Sequence, residues 1–192
     1  MMNSPNVECF CIMKNCYVMH TNIVKFAGIK TDMMDINIRE GRPEDMPFVL
    51  DLIKELAIFE KEPDAVVVTV NDLVEHGFKE PPAFYIYIAE YDGKIVGMAL
   101  FYYRFSTWKG PTIHLEDLIV KQEYRSKGIG KALYDRVLEF AHKKKVRRTE
   151  WVVLDWNTNA VNFYESTGAV ILDDWKTCQI TDQKTAEYLA RK

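Results

Sequence analysis

Gln122-Glu123-Tyr124-Arg125-Ser126-Lys127-Gly128-Ile129-Gly130-Lys131 decides the reading of this chain. The segment follows an apolar run, Leu115 to Val120, that reads as a strand, and it opens a strongly periodic helix. A Gly-x-Gly loop joining a strand to a helix is suited to holding phosphates. The glycines let the backbone turn sharply and approach an anion. N–H groups of the first helical turn then point at it, with the positive end of the helix dipole behind them. Arg125, Lys127 and Lys131 add positive charge. The spacing is not the Walker pattern, whose Gly-Lys-Ser/Thr is missing, and it is not a complete Gly-x-Gly-x-x-Gly fingerprint. Gly-x-Gly beside basic residues is common on surface loops. The strand before it and the helix after it make this one specific.

Around that loop, the chain of 192 residues, 48% of them hydrophobic, fits one domain with a sizeable core. The formal net charge is -3, which argues against a general nucleic-acid binder and suits a cationic small substrate. The dense basic run His142-Lys143-Lys144-Lys145-Val146-Arg147-Arg148 reads as a helix end, where cations complement the carbonyl end of the dipole. The cysteines Cys9, Cys11, Cys16 and Cys178 form neither a disulfide framework nor a zinc spacing, and the histidines are scattered, so no metal site is expected. Such cysteine usage suits a reducing cytoplasm, the expected location. No apolar run reaches membrane-span length, and the start lacks the clean apolar centre of a signal peptide, so no membrane partner is expected.

Met1 to Asp35 is sulfur-rich and without sustained period. It reads as a tail or as the product of an upstream start, a short accessory helix being the alternative, and residues 36–192 as the domain. From Ile36 the pattern is regular. Ile36 to Arg39 alternates as a strand. Arg42-Pro43-Glu44-Asp45 then opens a helix with Phe48, Val49, Leu52, Ile53, Leu56 and Phe59 on one face. A short helix follows over Asn71 to His76. The strands Phe84 to Glu90 and Lys94 to Phe105 flank the turn Tyr91-Asp92-Gly93. Thr112 to Val120 is a long strand, and Ile129, Leu133, Val137, Phe140 and Ala141 line the helix after the phosphate loop. Thr149 to Leu154 reads as a strand, Thr158 to Ser166 as a helix, and Ala169 to Leu172 and Trp175 to Ile180 as two last strands. The expected architecture is a single α/β domain, a twisted mixed sheet of about seven strands flanked by helices, with an antiparallel front half and a βαβ phosphate unit. Cys178, in a late strand with no histidine near in sequence, reads as a buried structural thiol.

The strand–Arg125-Ser126-Lys127-Gly128-Ile129-Gly130–helix unit and Asn157…Asn162-Phe163-Tyr164…Gly168-Ala169 resemble the two cofactor-binding motifs of the GNAT superfamily of acetyl-CoA-dependent N-acetyltransferases. Glu55-Leu56-Ala57-Ile58-Phe59-Glu60-Lys61, Ser106-Thr107-Trp108-Lys109-Gly110, Leu115-Glu116-Asp117 and Leu154-Asp155-Trp156-Asn157 are similar to the spermidine/spermine acetyltransferase group. The Ser-Thr-Trp-Lys-Gly segment looks closest to its thialysine-acetylating branch. The resemblance runs from Ile36 to about Thr181 and implies a GNAT fold, acetyl-CoA as acetyl donor, a small cationic amine as acceptor and a homodimer. It also implies roles. Leu118, Ile119 and Val120 would offer backbone groups to the pantetheine arm, and Arg125 with Ser126 through Lys131 (Lys127, Gly128, Ile129, Gly130) would cradle the pyrophosphate. Asn157, Asn159 and Ala160 would bind the arm, with Tyr164 near the sulfur.

Tyr164 is then the expected general acid, since a phenol is protonated at neutral pH and can donate to a departing thiolate; a core tyrosine is the alternative. Glu116 is the expected general base, taking a proton from the ammonium directly or through a water, the alternative being an exposed acid in a β-bulge. Alternation puts Asp117 on the opposite strand face, as a structural residue or secondary anchor. Phe59, Glu60, Trp108, Glu116, Glu150, Trp151 and Val152 are the expected acceptor-site residues. Glu60 would hold a distal cationic group or be an ordinary helix-end charge, and Trp108 would wall the channel or anchor its loop. The polyamine-specific branch has an acid just before this tryptophan, where this chain has Ser106 and Thr107. That departure favours thialysine, lysine-like or short diamine acceptors. A protein N-acetyltransferase and a catalytically silent acetyl-CoA-binding module are the rival readings.

Overall fold

A computed structural model describes residues 36–191. The tail expected over Met1 to Asp35, with Cys9, Cys11 and Cys16, lies outside the described residues. The sheet begins with β1 (Ile36–Glu40), which pairs antiparallel with β2 (Tyr85–Tyr91). β2 turns into β3 (Lys94–Ser106) through Asp92 and Gly93, whose φ angles of 49° and 70° are those a two-residue hairpin requires. β3 pairs antiparallel with β4 (Gly110–Val120), and the tip between them is held by Ser106 Oγ, which accepts from the N–H groups of Trp108 and Lys109 at 3.2 Å. β5 (Thr149–Glu150) lies parallel to β4, closing the order β1-β2-β3-β4-β5.

Helices cover both faces, which is why the central strands are apolar on both sides. Helix α1 (Met46–Phe59), opened by a single 3-10 turn, and α2 (Val70–Gly77) bury Met46, Val49, Leu52 and Leu73 against Ile86, Ile88, Met98 and Leu100. Thr69 caps α2, its hydroxyl accepting from the Asp72 N–H while the Asp72 carboxylate accepts from the Thr69 N–H. On the other face α3 (Ile129–Lys143) buries Leu133, Val137 and Ala141 against Ala99, Phe101, Ile113 and Leu115, as its periodicity requires. Helix α4 (Thr158–Ser166) joins that second core through Tyr164.

Several expectations change. The sheet has five strands among the described residues, not about seven. The strand expected to Leu154 ends at Glu150, and residues 169–181 form no strand. Strand preference depends on packing against a sheet, yet Val170, Leu172, Trp175 and Ile180 are 80, 60, 69 and 64% exposed, so these residues find no sheet edge in their own chain. A helix the sequence did not suggest, α5 (Asp182–Leu189), ends the chain with Thr181 as its cap. Cys178 is exposed rather than buried, and Phe48 faces solvent while Met46 takes the buried position on α1.

Candidate active site

β4 and β5 touch only at Ile113–Thr149 and His114–Glu150, then part. From Leu115 to Val120, β4 is bonded to β3 on one side only, so its other edge presents backbone groups without a strand partner. The side chains of Ile119 and Val120 are buried and Leu118 is half-buried, packed in the cores, so what this stretch offers to a ligand is main chain. The Lys121 N–H bonds to the Val96 carbonyl, which in this register turns the main chain of Ile119 to Met98 of β3 and that of Leu118 and Val120 to the open edge. An extended molecule bearing amides fits that edge as an added strand would.

The open edge leads to the start of α3. Gly128 is the N-cap there, with φ of 79°, and it has no side chain to cap the helix. The first intrahelical bond runs from the Ala132 N–H to the Gly128 carbonyl, which leaves the N–H groups of Ile129, Gly130 and Lys131 for an anion. Only one of the two glycines does the turning: Gly130 lies within the helix, and a Cβ there would meet Val120 at an ordinary 3.7 Å. Ser126 also takes a left-handed φ of 61°. Arg125 donates from Nε to the Val120 carbonyl at 2.9 Å, bracing the loop against β4. Lys127 lies over the rings of Tyr91 and Tyr124, at 4.8 and 5.1 Å, and Lys131 pairs with Asp135.

Asn157 caps α4, accepting from the Ala160 N–H at 3.3 Å; its side chain therefore serves the helix, beside the half-buried Ala160 and exposed Asn159. Tyr164, one helical stretch on, is buried against Trp151, with ring centroids 4.9 Å apart, and against Tyr134. Burial, then the nearby Tyr134 hydroxyl, push its phenol up to about 12, so it stays protonated at any physiological pH.

Glu116 sits on a bulge. Leu100 pairs with Asp117 and Phe101 with Leu115, which leaves Glu116 as the extra residue of β4. The bulge corrects the expectation from alternation: Asp117 does not lie on the opposite face. Opposite Leu100, it falls in the row that faces α1, and Glu116, held by Tyr102 and His114, points to the same side. Asp117 is half-buried, and burial first, then the charges of Glu116 and Glu60, raise its carboxyl to about 6. Glu60, at the end of α1, is itself raised by partial desolvation. The charges of Glu116 and Glu60 thus both bear on Asp117, and a cation beside it would favour its ionised form.

Of the other expected residues, Phe59 stacks obliquely on Trp156 at 5.4 Å and receives the Arg125 guanidinium on its ring, which ties the end of α1 to the phosphate loop. Trp151 is half-buried, and Val152 is exposed just after the parting of β4 and β5. Glu150 is engaged by Arg104 at 2.8 Å and Arg148 at 2.9 Å, as ionic contacts rather than aligned hydrogen bonds. Trp108 is not brought to Glu116. It is 78% exposed at the β3–β4 tip, and the strand from Gly110 to Glu116 spans roughly 20 Å. The sequence reading missed Tyr102, Arg104, His114 and Trp156. The first three meet only through cross-strand register, which no local pattern announces.

Residues 46–169 match the acetyltransferase (GNAT) family. A thialysine N-epsilon-acetyltransferase of Bos taurus is 39% identical over 145 residues, 71% of this chain and 85% of the relative. A human spermidine/spermine N(1)-acetyltransferase-like protein 1 is 37% identical over 153 residues, 76% of this chain and 22% of that longer protein. An aminoglycoside N-acetyltransferase solved in complex with CoA shares the fold, with a TM-score of 0.62 and 17% identity over 78% of this chain and 97% of that one.

Proposed function

The chain belongs to the acetyltransferase (GNAT) family and is an acetyl-CoA-dependent N-acetyltransferase, and from that premise we propose that it acetylates a primary amine of thialysine or a comparably short cationic amine. The observation that carries the site is the open β4 edge running into an uncapped α3 N-terminus, with Glu116 displaced from the same strand by a bulge. When bound, acetyl-CoA supplies an acetyl group as a thioester. The main chain of Leu118 and Val120, with Ile119 between them, would hold the arm, and the first-turn N–H groups of α3 would hold the pyrophosphate. Glu116 would take the first proton from the ammonium, directly or through a water. The freed nitrogen would form the C–N bond as the C–S bond breaks; Tyr164, a protonated phenol, would give its proton to the departing sulfur and recover the nitrogen's second proton, directly or through a water, while Glu116 returns its own to solvent. Glu60 and Asp117 hold positive charge beside Glu116.

The acceptor reading rests on the thialysine-acetylating relative and on Ser106. That side chain folds the hairpin tip by accepting two backbone N–H groups and brings no charge to it. A long polycation loses an anchor there, and a short amine does not. We also propose a homodimer. Phe105 and Trp108 at the tip, 76 and 78% exposed, and the apolar side chains of residues 170–180 are covered by a second copy, which brings Trp108 to its neighbour's acceptor site. No described helix is long and apolar enough to cross a membrane.

A thiol-release assay with acetyl-CoA across thialysine, lysine, putrescine, spermidine and a basic peptide tests the acceptor. The expected order places thialysine first by kcat/KM. A preference for spermidine would overturn the argument from Ser106, and a preference for the peptide would overturn the small-amine reading.

A further inference from the structure

We infer that Tyr102 and His114 are positioning residues for Glu116, with Arg104 fixing the proton of His114 on the nitrogen that faces the carboxylate. The inference rests on the reading of Glu116 as the base. A bulge residue on an open strand, Glu116 has a side chain 51% exposed and would otherwise sample many rotamers. Two neighbours restrain it. The Tyr102 hydroxyl donates to Glu116 Oε2 at 3.0 Å, and His114 Nε2 lies 3.5 Å from the same oxygen. Both residues are in one row of the sheet, since Tyr102 pairs with His114 across β3 and β4 and His114 with Glu150 across β4 and β5. Their rings pack at 5.3 Å.

Arg104 decides the tautomer. Its Nη1 is 3.2 Å from His114 Nδ1, and a guanidinium has donors only. Nδ1 is therefore the acceptor, and the single proton of the neutral ring sits on Nε2, aimed at Glu116. Burial, the largest influence, and the Arg104 charge both favour the neutral ring, against Glu116 and Glu150, which favour the cation. Arg104 is held in turn by Glu150, itself braced by Arg148. With the Tyr102 hydroxyl bonded to Oε2 and the His114 ring beside the same oxygen, Oε1 is left as the proton-accepting atom.

The test is steady-state kinetics with acetyl-CoA and thialysine on Tyr102→Phe, His114→Leu, His114→Gln and Glu116→Gln, each checked for an unchanged melting temperature. Tyr102→Phe and His114→Leu are expected to lower kcat about tenfold with the KM for acetyl-CoA unchanged. His114→Gln, which keeps an N–H for Glu116 and an oxygen for Arg104, should recover most of the loss, which a merely structural role of the ring would not predict. A Glu116→Gln enzyme that is inactive beside Tyr102→Phe and His114→Leu enzymes with wild-type kcat would overturn the inference alone. A fully active Glu116→Gln would overturn the base assignment and this inference with it.

Discussion

At the scale of single residues, burial shifts two ionisable groups of the site upward. Tyr164, protonated at neutral pH as any phenol is, is pushed further up to about 12. Tyr164→Phe keeps the packing on Trp151, so kcat should fall about 100-fold with melting temperature and acetyl-CoA binding unchanged. Steady-state kinetics beside thermal melting would check this. Asp117 is the second such group, an acid whose charged form the fold disfavours. Its folded value of about 6 lies above the ordinary 3.8, so the folded protein binds this proton more tightly than the unfolded chain. The stability it contributes is fully present below the unfolded value and is lost as pH rises through about 6. Asp117→Asn should therefore stabilise the protein by on the order of 2 kcal/mol at neutral or higher pH and little in acid, as urea denaturation in the two conditions would show. The proposed roles of Glu116, Tyr164 and the loop were read in sequence from local motifs. The side to which Asp117 points was not, because a bulge cancels alternation and its cause lies in the pairing with β3.

Among the elements, the phosphate loop shows how two glycines in one motif do different work. Gly128 has a left-handed φ of 79°, whereas Gly130 is an ordinary helical position with room for a methyl group. Gly128→Ala should cost about 1–2 kcal/mol and raise the KM for acetyl-CoA. Gly130→Ala should leave that KM unchanged and stabilise α3 by up to about 1 kcal/mol, Ala being the better helix former. Denaturant titrations and acetyl-CoA kinetics on the pair separate the two roles. The starts of α3 and α4 were well marked in sequence, by Gly128 and Asn157, and the face Ile129, Leu133, Val137 and Ala141 is the buried one. The Thr69 cap of α2 and the whole of α5 were not read. The end of β5 was not marked. Trp151 to Leu154 carry strand-like side chains, but the backbone leaves β4 after Glu150, and that parting opens the edge that Leu118 to Val120 present.

For the molecule as a whole, exposed apolar side chains among the described residues include Phe105 and Trp108 at the β3–β4 tip and Val170, Leu172, Trp175 and Ile180 along residues 170–180. These are the places where the sequence led us to expect either a wall for the acceptor channel or two more strands. Their patterning was legible, but what covers them was not, since no described element of the chain packs over them. Sedimentation should find a dimer, and Phe105→Ser with Trp108→Ser should give a folded monomer whose KM for the amine rises. A wild-type monomer in sedimentation would remove the second copy from the acceptor site. Acetyl transfer to a small amine is proposed to run through Glu116 on its bulge. Its most direct test is thiol release from acetyl-CoA with thialysine, wild type against Glu116→Gln, with acetyl-CoA affinity measured by calorimetry on both. We predict amine-dependent release that falls at least about 100-fold in the variant while acetyl-CoA binds equally. Undiminished release by Glu116→Gln, or binding of acetyl-CoA with no release for any amine, would contradict the account.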